Sequence, residues 1–310
     1  MPDRLMLLDS ASLYFRAFYG VPDTVRAPDG TPVNAVRGFL DIITKLVTLY
    51  QPTHLIACWD DDWRPQWRVD LIPSYKTHRV AEVVVGAPDV EVVPDPLEIQ
   101  VPVIRESLAK VGIQVVGAPE HEADDVIGTL ATTATLPVEI VTGDRDLFQL
   151  VDDARDVRVV YTARGMSNLE VVTDDVVLTK YGVRPRQYAD FATLRGDSSD
   201  GLPGVAGIGE KSAATLLAAH GDLDGILRAA EAREGMTAGV AAKIGAALPY
   251  LAVAPRVVAV VRDLDLPAVD ARLRPLDDGA KQDAAAFAER WALGAAMTRI
   301  VDALDAVPTA

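Results

Sequence analysis

The sequence predicts an α/β fold: a central, mostly parallel sheet flanked by helices, followed by a helical region. Three observations predict it. Two short apolar runs lead into aspartates, Leu5–Asp9 and Thr53–Trp59 with Asp60 next in the chain, the pattern of buried parallel strands whose carboxyl ends carry function. Between them, Asn34–Tyr50 places apolar residues at helical spacing and stops before Pro52, as an amphipathic helix does. From Thr173 onward the patterns are helical. The expected organisation is therefore an α/β domain over 1–173 and a helical one over 174–310.

Composition narrows the function classes. A length of 310 residues suffices for one large domain or two moderate ones, each with a core. No charge-free apolar stretch can span a bilayer. Asp9 interrupts the N-terminal apolar run, so no secretory signal is expected, and the expected compartment is the cytoplasm. A lone cysteine, Cys58, excludes a disulfide framework and a thiolate metal cluster. The net charge of −15 argues against a general nucleic-acid coat. DNA binding then requires local concentrations of positive charge, with cations neutralising the acids.

Along the chain, Ser10–Tyr19 carries Tyr14, Phe15 and Phe18, which packing explains, and Arg16, a candidate phosphate contact. Trp59–Arg79 interleaves Trp63 and Trp67 with Arg64, Arg68, Tyr75, Lys76 and Arg79, the composition of a groove that stacks bases and pairs phosphates. Packing of the two tryptophans, spaced i,i+4, on the core explains them equally well. His78 has no second histidine near it and stays unassigned. Val80–Ile104 has no Lys or Arg but has Pro88, Pro94, Pro96 and Pro102, which predicts an irregular excursion rather than a long helix. A helix over about Pro102–Val111, a third strand over Val111–Val116 and a late hairpin, Val157–Tyr161 with Leu169–Val172, complete the first domain.

The richest stretch is Glu120–Phe148. Glu122, Asp124 and Asp125 open a helical segment, while Asp144 and Asp146 follow the strand-like Val138–Val141. Two unit charges ~4 Å apart repel by ~4 kcal/mol at a near-surface dielectric of ~20. Such a cluster takes up protons or is held together by divalent cations.

In the second region, Asp174–Tyr181 and Pro185–Leu194 read as helices. Asp197 and Asp200 then precede a glycine-rich turn, Gly204–Gly209, that runs into a helix over Glu210–Ala219. Amides at such a turn form a phosphate site, with Gly204, Gly207, Gly209 and Lys211 as the candidate contacts. Further helices are expected at Leu223–Glu231, Gly239–Ala247 and Asp283–Leu304, with Arg256–Val260 linking them.

These motifs, Glu122-Ala-Asp-Asp125, Thr142-Gly-Asp-Arg-Asp-Leu147 and Gly196-Asp-Ser-Ser-Asp200 with Leu202-Pro-Gly-Val-Ala-Gly-Ile-Gly-Glu-Lys211, resemble the bacterial 5′→3′ exonuclease and flap endonuclease family. That family includes the N-terminal nuclease domain of bacterial DNA polymerase I. Leu8-Asp9, Asn34–Phe39, Trp59-Asp60, Trp67-Arg68 and Tyr75-Lys76 with Arg79 follow its pattern in order, to about residue 265. The resemblance implies a PIN-like or resolvase-like sheet, and a helix-three-turn-helix at about 190–220 that grips duplex backbone and holds K⁺ on its carbonyls. It implies two or more Mg²⁺ or Mn²⁺ ions held by Asp9, Asp60, Glu122, Asp124, Asp125, Asp144, Asp146, Asp197 and Asp200. By the same resemblance Asp125 and Asp144 serve catalysis with Lys76 and Arg79. Arg16, Arg68, Tyr75, Lys76 and Arg79 meet the DNA.

The implied activity is metal-assisted hydrolysis of DNA at 5′ ends or flaps, in replication and repair, by a free-standing monomer without a polymerase domain. Two departures stand out: Val80–Ile104 lacks the basic residues of the family's arch, which argues against threading of long 5′ flaps, and Gly201 replaces an asparagine. Rival readings are an aspartate-nucleophile phosphatase, disfavoured by Ala11 where a second Asp is needed, a non-catalytic duplex-binding module, and a ribonuclease with a related acidic site.

Overall fold

The computed structural model describes residues 3–84 and 87–307. Val85 and Gly86, inside the expected excursion, lie outside it, as do Met1, Pro2 and residues 308–310.

Among the described residues eight strands form: β1 (Leu5–Asp9), β2 (His54–Cys58), β3 (Val80–Glu82), β4 (Val90–Glu91), β5 (Gln114–Val116), β6 (Val138–Thr142), β7 (Val157–Tyr161) and β8 (Glu170–Val172). Six of them build one sheet in the order β5-β2-β1-β6-β7-β8, parallel throughout except for the β7–β8 hairpin. All five β1 residues are buried, as expected of a strand covered on both faces. Its neighbours β2 and β6 lie on opposite sides, with Leu8 level with both Ala57 and Val141. From β1 the chain builds outward to one side and later returns to the other. That reversal opens a crevice at the carboxyl ends of β1 and β6, where ligands bind in open parallel sheets.

Helices cover both faces. Helix Asn34–Tyr50 buries Phe39, Ile43 and Leu46 on one face, where Met297, Ile300 and Leu304 of the C-terminal helix Gly294–Asp305 join it. Helix Ala123–Thr133 covers the other with Val126 and Ile127. A cluster of Phe148, Tyr188, Phe191 and Leu217 continues that second core into the helical region, each such side chain contributing ~1.5–3 kcal/mol on burial.

Three boundaries differ from those expected. β5 starts three residues late because Gly112, with φ +72, turns the chain after helix Val101–Lys110. The helix expected over Asp283–Leu304 is two, Asp278–Arg290 and Gly294–Asp305. They break at Ala292, φ 52, so that Leu293 enters the core. The excursion contains an antiparallel pair, β3 with β4, and one helical turn, Asp95–Glu98. No arch helix forms among its described residues.

Candidate active site

An acidic cleft of about 320 Å³ opens at the carboxyl edge of the sheet. Its aspartates are Asp9 at the end of β1, Asp60 after β2, Asp124 in the first turn of helix Ala123–Thr133, Asp144 after β6, and Asp197 before the glycine hairpin, with Glu91 and Glu122 also in the lining. Lys76, Arg79 and Arg145 line it too.

Each acid is positioned by local chemistry. Asp9 caps helix Ser10–Gly20 by accepting the Ser12 N–H at 3.2 Å, and its other oxygen accepts the Thr142 hydroxyl at 2.6 Å. Burial pushes its carboxyl up to about 7; the two hydrogen bonds oppose that push, and Asp60 and Asp144 add to it. Asp60 accepts the Ala123 N–H at 2.7 Å at the helix start, and burial raises it to about 6. Asp124 accepts no hydrogen bond among the described residues, and burial, then Asp9 and Asp144, push it well above the ordinary carboxylate range. Asp146 is raised by burial and by Asp144, Asp200 and Asp197, and its Oδ1 is buried without a partner. Asp197 accepts from Arg195 at 3.0 Å and Asp200 from Arg79 at 3.2 Å.

Among the described residues, no three such side chains already converge on one ligating point. Asp9, Asp60, Asp124, Asp144 and Asp197 line the cleft instead, while Asp146 and Asp200 lie behind its lining. The orphaned Asp146 oxygen, the unpartnered Asp124 carboxylate and the all-oxygen donor set nevertheless fit divalent cations that keep several waters.

Four expected site residues are placed differently. Asp125 is fully buried outside the cleft, where Arg68 grips both its oxygens at 2.8 and 2.7 Å and the Val261 amide donates at 2.8 Å. Its oxygens are thus committed to Arg68 and the Val261 amide, away from the cleft lining. Arg68, 3% exposed, also donates to Glu122 at 3.0 Å and to the Val257 carbonyl at 3.2 Å, so its guanidinium is turned inward rather than toward the surface expected to meet DNA. Tyr75 is 4% exposed, its ring in the Ile72, Leu202 and Val257 cluster and its hydroxyl donating to Glu122 at 2.6 Å. Glu122 reaches the cleft wall, yet its oxygens are taken by Arg68, Tyr75 and the Lys76 ammonium. Burial alone would raise its pKa, but Lys76 and Arg68 outweigh burial and hold it below its ordinary value. Glu122 thus aims Lys76, and sequence spacing alone cannot separate such a carboxylate from a ligand.

Arg16 lies in the adjoining groove beside Phe15 and Lys45 rather than among the carboxylates, its Nε buried without a partner. The hairpin is built on a close approach: Gly196 (φ +78) and Gly204 (φ +66) stand so near that a Cβ on Gly196 would meet the Gly204 nitrogen at 2.7 Å. Gly209 caps helix Glu210–His220, in whose first turn Lys211 is exposed. Lys243, which nothing in the sequence singled out, donates to the Gly207 carbonyl at 3.0 Å. Arg145, between Asp144 and Asp146, also lines the cleft and carries no motif of its own.

Gly201 explains its own departure. The Lys76 amide donates to the Asp200 carbonyl at 2.9 Å and the Ser74 hydroxyl to the Gly201 carbonyl at 2.8 Å. At φ +71 a Cβ on Gly201 would overlap the Ser74 carbonyl oxygen. Gly201→Ala is therefore expected to destabilise by ~1–3 kcal/mol and to displace Lys76. Denaturant unfolding checks the first effect and turnover per folded molecule the second.

Comparisons with known proteins bear on the family and the fold. A model of the 5′-3′ exonuclease N-terminal resolvase-like domain matches residues 4–182, and one of the 5′-3′ exonuclease C-terminal SAM fold matches 183–278. A 5′-3′ exonuclease of Streptomyces coelicolor is 56% identical over 304 residues, covering 97% of this chain and 100% of the relative. DNA polymerase I of Mycobacterium tuberculosis is 43% identical over 74% of this chain, which is 24% of that polymerase. The T5 D15 protein, co-crystallised with metal ions, superposes with TM-score 0.65 at 16% identity over 97% of this chain and 99% of that one. The catalytic core of Rad2 in complex with DNA substrate gives 0.57 at 17% identity over 100% and 93%; both likenesses speak to the fold. With one family model spanning more than half of the residues and a close relative matching nearly end to end, the chain belongs to the 5′-3′ exonuclease family.

Proposed function

We propose that the protein is a structure-specific 5′ nuclease that hydrolyses DNA phosphodiesters at 5′ ends, nicks or flaps, using divalent metal. One observation supports this reading: carboxylates from four separate elements, with Asp197 from the loop before the glycine hairpin, line a single cleft beside Lys76.

Asp9, Asp60, Asp124 and Asp144, with Asp146, Asp197 and Asp200, would hold two or more Mg²⁺ or Mn²⁺ ions. Bound there, such ions lower the pKa of an attacking water and stabilise the leaving oxygen. The chain's own groups do the rest. Lys76, fixed by Glu122, places its ammonium where phosphate charge develops, and Arg79 stands beside it. Lys211 and the amides around Gly204, Gly207 and Gly209 hold duplex backbone, with Arg16 as a contact in the adjoining groove. A K⁺ on the hairpin carbonyls, if bound, would share them with Lys243, which already occupies Gly207. Among the described residues no helix is long and apolar enough to cross a membrane; a monomer acting in the cytoplasm completes the reading.

Cleavage mapping on labelled nicked, recessed and flapped duplexes in Mg²⁺, Mn²⁺ and EDTA tests it. Metal-dependent release of 5′-terminal products is expected, and binding without cleavage in every metal would sink it.

Metal dependence also has a stability signature. Asp9 at about 7 and Asp60 at about 6 lie above the ordinary 3.8. A carboxyl whose folded pKa exceeds its unfolded one binds its proton more tightly when folded. Stability is then greatest near pH 4 and falls, by a few kcal/mol for the pair, as pH rises through about 7. In EDTA the melting temperature is expected to drop between pH 5 and pH 8, and Mg²⁺ to restore it at pH 8. A melting temperature indifferent to both would refute the cluster's ionisation.

A further inference from the structure

The excursion between Lys76 and helix Val101–Lys110 places one acid of its own in the cleft. Glu91, on β4, lines the same cavity as Asp60, Lys76 and Arg79. It is there because the β3–β4 pair is fastened down. Asp89 forms an ion pair with Arg64, both side chains almost fully buried (7% and 6% exposed). The Asp89 carbonyl accepts the Trp63 indole N–H at 2.6 Å, and its carboxylate accepts the Val84 amide at 3.1 Å. The Val92 amide donates to the Arg79 carbonyl at 2.7 Å. Arg64 in turn donates to the Tyr75 carbonyl at 2.6 Å, next to Lys76. The strap and the phosphate-facing loop are thus one hydrogen-bonded unit.

Two consequences follow for a single strand leaving the cleft on this side. The Arg64–Asp89 pair and the Trp63 indole tie the strap to the loop. The stretch from Val80 to Ile104 carries no Lys or Arg, and the side chain it contributes to the cleft lining is the carboxylate of Glu91. A nucleic-acid strand brings one negative charge per phosphate, and like charges at close range are strongly discriminated against. The cleft itself, about 320 Å³, is at the small end of the ~300–1,000 Å³ range of ligand cavities.

We propose that Glu91 is a specificity-determining residue that restricts this enzyme to short 5′ ends: nicks, recessed ends and flaps of one or two nucleotides, in preference to long single-stranded flaps. The inference rests on the 5′ nuclease reading and deepens it. Glu91 closes the cleft by charge, and the Arg64–Asp89 ion pair holds it in place.

The test is the ratio of kcat/KM on a long-flap duplex to that on a nicked duplex of the same sequence, in Mg²⁺, for the full chain, Glu91→Gln and Glu91→Lys. The unaltered protein is expected to favour the nicked duplex. Glu91→Gln raises the long-flap ratio part-way, and Glu91→Lys raises it about tenfold, with a steeper salt dependence on the long flap alone. Equal use of both substrates by the unaltered protein, or a ratio unmoved by Glu91→Lys, overturns the role of Glu91 and leaves the nuclease reading standing. Absence of metal-dependent cleavage on the nicked duplex overturns the nuclease reading, and this inference with it.

Discussion

Asp124→Asn is expected to abolish metal-dependent cleavage while making the metal-free protein more stable. Asp124 sits in the first turn of helix Ala123–Thr133 and makes no hydrogen bond among the described residues, and burial plus Asp9 and Asp144 drive its pKa far up. A residue kept only for folding would not stand unpartnered beside two other acids. Neutralising it at constant shape removes repulsion, for a gain of ~1–2 kcal/mol, as often follows when an active-site charge is deleted. The same change deletes a cation ligand, and several kcal/mol of lost transition-state stabilisation is ~10³-fold or more in rate. Flap and nick cleavage measures one effect, and denaturant unfolding in EDTA the other. An active variant would remove Asp124 from the site, and an inactive one that is also unstable would make its role structural.

Arg68→Ala should show the opposite pattern. Arg68 is buried with Asp125, Glu122 and the Val257 carbonyl, so its loss leaves carboxylates unpaired in the interior. Breaking one side of a buried pair costs ~3–5 kcal/mol. Arg68→Lys restores little, because one ammonium cannot reproduce a fork that grips both Asp125 oxygens. The salt dependence of DNA binding separates this from a phosphate contact. Loss of such a contact lowers the slope by ~1, whereas the folded Arg68→Lys protein is expected to keep it. A reduced slope with unchanged stability would return Arg68 to the DNA surface.

The same region shows how far the sequence could be read. Leu5–Asp9 and Val138–Val141 were legible as buried strands because alternation disappears when both faces are covered, whereas Asp9 taken alone reads as a turn or cap residue and became a candidate only beside the similar run ending at Asp60. The glycine hairpin could be read because its backbone requires glycine at Gly196 and Gly204. Glu122 and Asp125 read as ligands for the same reason as Asp124, since all three open one helix within four residues. Side chains on successive helical positions point about 100° apart, so one faces the cleft and another faces Arg68, fifty-seven residues away.

By itself, the sequence determined the parallel sheet and the glycine hairpin, because strand burial, capping and turn conformation are short-range constraints on residue type. Only the tertiary structure decided which acids face the cleft, that Arg68 and Tyr75 are interior, and that Glu91 enters the site from a segment with no motif. Those outcomes depend on which distant cation reaches which carboxylate first, and long-range pairing leaves no periodic trace in the chain.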